Sequence, residues 1–204
     1  MQSSGDAPSQ EAAQQIVADF DEEGVFFYQA FNDTIADYAV ANQALGGDKF
    51  NPTRMTWIKP SFAWVLYRSG YGSKPNQNRV LKLKVPHEAV ASLLSQCDCK
   101  HGGGGSNGRV QWDPARDLMS ADGRVPRKML RDRAIQIGLK GALSVEYVNS
   151  IVAIEDVTSL SHSVGTAHAS RRSVADAMAS LQGELPDERE YLTQCSKDVL
   201  SGLG

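Results

Sequence analysis

The sequence predicts an α+β fold: a single compact mixed α/β domain with a mostly antiparallel sheet, a flexible N-terminal tail and a helical C-terminal extension. Three observations predict it. A chain of 204 residues is long enough to bury one core and short for two. Between Gly24 and Thr158, short β-branched or aromatic runs alternate with short helical patterns, whereas both ends are polar. Glycine and proline mark most of the junctions between these runs. The expected organisation is an acidic tail over 1–23, a globular core over 24–158, and a linker with amphipathic helices over 159–204.

Taken in order, Val25-Phe26-Phe27-Tyr28-Gln29-Ala30 has the character of a buried strand. Asp33-Thr34 can cap a helix running to about Asn42, with Gly46-Gly47 beyond it. Pro60 suits the first turn of a helix that ends at Ser69, with Phe62, Val65, Leu66 and Ser69 on its core face. Val80 to Val85 alternates as a half-exposed strand with its lysines outward, and a helix follows from His87 to about Gln96. Residues 101 to 108 hold four consecutive glycines and read as a flexible insertion. Arg109 to Trp112 predicts a short strand, and 116 to 133 a charged loop. A strand over Ala134–Leu139, a helix over Ala142–Ser150 and a strand over Ile151–Val157 complete the core. The Ser, His, Ala and Thr composition after Thr158 reads as a linker. Val174, Met178 and Leu181 form a stripe on the helices expected over 173–200.

The net charge of −3 conceals an asymmetry. Residues 1–48 carry nine acids and no Lys or Arg, and residues 49–86 carry eight Lys or Arg and no acid. Such a middle is suited to an anionic partner, unless the acidic ends fold back over it. No apolar stretch approaches the roughly 18 residues of a membrane span. Residues 1–19 lack the basic and apolar regions of a secretion signal, so the expected address is intracellular and cytoplasmic, with no membrane partner. Cys97, Cys99 and His101 form a C-x-C-x-H run without a second cluster to complete four ligands, so no metal site is expected.

The candidate residues follow from that basic middle. Arg54, Trp57, Lys59, Trp64, Tyr67, Arg68 and Tyr71 interleave cations with rings, the mixture a phosphate and a base demand together. Trp64 and Tyr67 on a short helix read more readily as core or half-core residues than as ligand contacts. Arg109, Trp112, Asp113 and Arg116 repeat the theme with a carboxylate added. Gln29, Asn32 and Gln136 are polar where a purely structural strand prefers apolar groups, and they belong either to a satisfied network or to a pocket. Glu155 and Asp156 end the last strand, where only one of two adjacent residues can face a given pocket. His87, His101, His162 and His168 occupy no recognisable catalytic template.

Six blocks carry a family resemblance: Tyr28 to Asn32, Ile35 to Ala39, Arg54 to Phe62, Tyr67 to Gly70, Val110 to Pro114 and Ile135 to Leu139. In these the chain resembles a family known only as domain of unknown function 4291, over about residues 24–158, with the glycine-rich insertion as its departure. The order of elements also resembles, at the level of fold, the ADP-ribosyltransferases. That resemblance implies NAD or another nucleotide as cofactor, with Lys59 and Glu155 as catalytic residues. Gln29, Asn32, Arg54, Thr56, Trp57, Arg68, Trp112, Asp113 and Gln136 would then line the ligand. Gln29 stands where those enzymes carry Arg or His. The same cations and rings suit RNA or single-stranded DNA without turnover, and the C-terminal helices suit a protein partner.

Overall fold

The computed structural model describes residues 14–99, 107–116, 118, 129–169, 176 and 179–203. Two antiparallel-rich sheets meet edge to edge and position everything else. The first has the order β2 (Gly24–Phe31), β4 (Arg79–Pro86), β8 (Ala153–Asp156). The second has the order β3 (Thr56–Ile58), β7 (Met129–Leu139), β6 (Gly108–Arg116), β5 (Cys97–Cys99), and only its β5–β6 pair is parallel. The Tyr28 N–H on β2 donates to the Lys59 carbonyl just beyond β3 at 2.8 Å, an antiparallel bridge that ties the two sheet edges together.

Alternation gives this surface an inner and an outer face. On the inner face Val25, Phe27, Leu81, Leu83, Ile58, Ile137 and Val110 share one hydrophobic core, against which α1 (Asp33–Asn42), α3 (His87–Ser95) and α4 (Gly141–Ser150) pack. On the outer face Tyr28, Val80 and Val157 pack against α2 (Phe62–Ser69) and α5 (Thr158–Ala169). β2 is therefore covered on both sides, which is why it reads as a nearly continuous apolar run.

Helix ends are set by side chains as much as by glycine. Asn32 caps α1 by accepting the Ile35 N–H at 3.0 Å, one residue earlier than Asp33-Thr34. The left-handed Gln43 closes the same helix and bonds both the N–H and the carbonyl of Ile154, fastening α1 to β8. Ser61 caps α2 and Gly70 ends it at φ 61°, so Pro60 lies just ahead of the helix rather than in its first turn.

Three regions differ from the sequence expectation. Thr158–Ala169, expected as linker, is a helix with Ser161, Val164 and Ala167 buried. Its small residues permit close approach, since a Cβ at Gly165 would meet the Tyr71 ring at 3.0 Å. Packing also continues ahead of Gly24: β1 (Val17–Ala18) pairs with β9 (Arg189–Glu190), and Ala18 is buried. At the other end Tyr191 and Leu203, the latter just after α6 (Lys197–Gly202), join the inner core. Residues 1–13, most of the glycine-rich insertion, most of the expected charged loop, and Val174 and Met178 lie outside the described residues. No helix among the described residues is long and apolar enough to cross a membrane.

Candidate functional site

Strand register places four side chains in one row on the outer face. Lys59 is opposite Tyr28, Tyr28 opposite Lys82, and Lys82 opposite Glu155, so Lys59 and Glu155, the two expected catalytic residues, share a face and a line. With strands about 4.8 Å apart, three spacings separate them by roughly 14 Å. Helix α2 lies over the middle, with the Phe62 ring 5.1 Å from that of Tyr28.

At the Lys59 end the row runs into a cluster of cations and rings. Lys59 is 9% exposed, and among the described residues its ammonium makes no hydrogen bond or ion pair. Burial pushes it down to about 8, the Arg68 guanidinium pushes further, and Asp113 offsets part of this. Trp64 and Tyr67 stack at 5.3 Å between centroids, with Arg68 5.8 Å above the Trp64 ring and Arg116 3.9 Å above the Tyr67 ring. Trp64 is 7% exposed, yet its indole N–H has no acceptor among the described residues. Beside this cluster the second sheet presents Trp57, Gln111, Asp113 and Gln136 outward. The Gln136 amide donates to Gln111 at 3.0 Å and to Asp113. Trp57 lies against Gly138, where a Cβ would fall 2.8 Å from the indole.

The remaining expected ligand residues lie elsewhere. Gln29 faces inward, donating to Thr56 at 2.8 Å and accepting from the Tyr147 hydroxyl at 2.8 Å, so Gln29 and Thr56 form a satisfied network that ties β2, β3 and α4 together. Because neighbouring positions on a strand alternate, Gln29 and Glu155 are on opposite faces, and Tyr28 is the β2 residue beside Glu155. Asn32 is occupied as the α1 cap. Trp112 faces the inner core and donates to the Leu203 carbonyl at 2.5 Å. Arg54 is exposed in the turn ahead of β3.

At the Glu155 end the structure adds residues that sequence reasoning passed over. Glu188 accepts the Phe62 N–H at the start of α2 and the Ser61 hydroxyl, and burial raises its carboxyl to about 7. Asp19 pairs with Lys82 at 2.7 Å. Both come from segments read as tail or extension; the only available signal was an acid in each run that has to neutralise or cap something.

The chain matches, over residues 15–191, the family described as Domain of unknown function (DUF4291). It belongs to that family. The family 4291 match reaches beyond 24–158 on both sides and takes in Asp19, Glu188 and the β1–β9 pair. A comparison with curated proteins found no match.

Proposed function

We propose that this family 4291 domain binds a nucleotide whose phosphate lies against Lys59 and Arg68, with its base or sugar beside the Trp64–Tyr67 pair. The unpaired, enclosed Lys59 ammonium carries the reading. A largely buried cation with no hydrogen-bonded counter-charge is costly, and an anionic ligand removes that cost while accepting from the Trp64 N–H, which has no acceptor among the described residues. Arg54, Trp112, Gln29, Thr56 and Asn32 are not part of this site. Trp57, Asp113 and Gln136 flank it on the second sheet.

Thermal unfolding of the full chain with NAD, ADP-ribose, ATP and a short single-stranded RNA tests it, because a ligand specific to the native state raises the midpoint. A nucleotide is expected to raise it, and Lys59→Met to remove the rise. A rise with RNA alone that collapses between roughly 50 and 200 mM salt favours the nucleic-acid reading, for which Tyr67, 37% exposed, offers a stacking face. No response to any of them sinks the proposal. The transferase form, with NAD as donor and Glu155 polarising a ribose hydroxyl, predicts nicotinamide release that Glu155→Gln abolishes. The partner-docking reading is the weakest, because Tyr191 and Leu203 are buried in the chain's own core.

A further inference from the structure

The other end of the row has the opposite sign. A cavity of about 300 Å³ opens there between the outer face of the first sheet, the start of α2, the start of α5 and the 184–186 segment. That is the lower end of the roughly 300–1,000 Å³ typical of small-ligand sites. Phe62, Val157 and Leu160 supply apolar wall, and Glu155 and Glu184 supply carboxylates. Neither carboxylate has a cationic partner among the described residues. The cations nearby are already committed: Lys82 to Asp19 at 2.7 Å with its ammonium 3.9 Å over the Phe26 ring, and Arg79 to Asp156. The second, independent observation is Tyr28. It lines the cavity, is 1% exposed, and its hydroxyl has no hydrogen-bond partner among the described residues. Burial, and after it the charges of Glu188, Asp19 and Glu155, raise the hydroxyl far above the ordinary phenol range, so it stays a neutral phenol.

We infer that this cavity binds a small organic cation, an ammonium or guanidinium group on an apolar stem. Its N–H donors would satisfy Glu155 and the Tyr28 oxygen while the stem packs on Phe62 and Leu160. An anion is disfavoured by the two free carboxylates, and an uncharged apolar ligand leaves the Tyr28 hydroxyl as it is. The cation has two possible sources with the same chemistry, a free amine or a side chain of a peptide.

Calorimetric titration of the full chain, without nucleotide, with agmatine and with the blocked tripeptide N-acetyl-Ala-Arg-Ala-amide tests the inference. Either is expected to bind, and the tighter of the two identifies the source. Glu155→Gln should weaken binding about tenfold, the usual effect of losing a charged hydrogen-bond partner. Tyr28→Phe should weaken it by a smaller factor while leaving the fold intact, since it removes a group with no partner. Lys59→Met should leave it unchanged, which separates this site from the nucleotide site. No heat from either probe, binding unaltered in Glu155→Gln, or equal binding of pentanoate in place of the cation would each overturn the inference.

Discussion

Two basic regions of the molecule differ in what holds their charges. Along β4, every cation has a carboxylate: Arg79 meets Asp33, Asp37 and Asp156, Lys82 meets Asp19, and Lys84 meets Asp21 and Glu23. Around α2, Lys59 has no such partner among the described residues, and Arg68 lies over the Trp64 ring. Asp19, Asp21 and Glu23 of the acidic N-terminal segment thus fold back over part of the basic middle. A count of charges along the chain treats the two regions alike, but pairing separates the β4 network from the cations around α2.

The largest break in that comparison is Lys59→Met. Its folded-state value of about 8 against an ordinary 10.5 means that, between those pH values, the unfolded chain holds a proton the folded one has lost. Stability therefore rises with pH through that window, and the full cost of the buried ammonium is present below pH 8. Methionine keeps the packing and removes the charge, so urea unfolding at pH 7 should show a gain of up to about 3 kcal/mol. The rise between pH 8 and 10.5 should flatten in the variant. A variant less stable than the parent at pH 7 would mean that Lys59 is a structural partner.

Arg79→Met should act in the opposite direction. It strips the partner from Asp156, whose side chain is only 24% exposed, and from two surface aspartates. A loss of about 2 kcal/mol is expected from the half-buried contact. Raising salt should shrink the share from Asp33 and Asp37 before that from Asp156. An effect indistinguishable from zero at low salt would show that the β4 network is no more than surface decoration.

The same contrast marks what was legible beforehand. Most core elements could be read because their signals are local: alternation in Val80–Val85, a proline and paired glycines bracketing Phe62–Ser69, an aromatic run at Val25–Ala30. α5 was missed because its Ser, His, Thr and Gly have weak local preference for helix, and its stability comes from small residues fitting against Tyr71 and β4. At the site, Lys59, Arg68 and Glu155 were visible as residue types, whereas the row that aligns Lys59 with Glu155 depends on register between strands distant in sequence. Gln29 and Gln136 were both noted as polar strand residues. Only the direction each strand presents its side chains separates the internal tie made by the first from the outer-face pair made by the second.

The smallest expected effect sharpens the comparison furthest. Arg116 is held over Tyr67 at 3.9 Å and over Trp64 at 5.5 Å, a contact that depends on a flat guanidinium against a ring face. Lysine keeps the charge but cannot stack, so Arg116→Lys should cost about 0.5 kcal/mol in thermal or urea unfolding. Ring contacts act at short range and are little screened, so that cost should persist in 1 M salt, where the Arg79→Met effect has diminished. If both effects fall together with salt, Arg116 is held by charges after all, and the two regions are alike. If only the β4 effect falls, Arg116 is positioned by aromatic surface, and the two regions hold their cations by different physics.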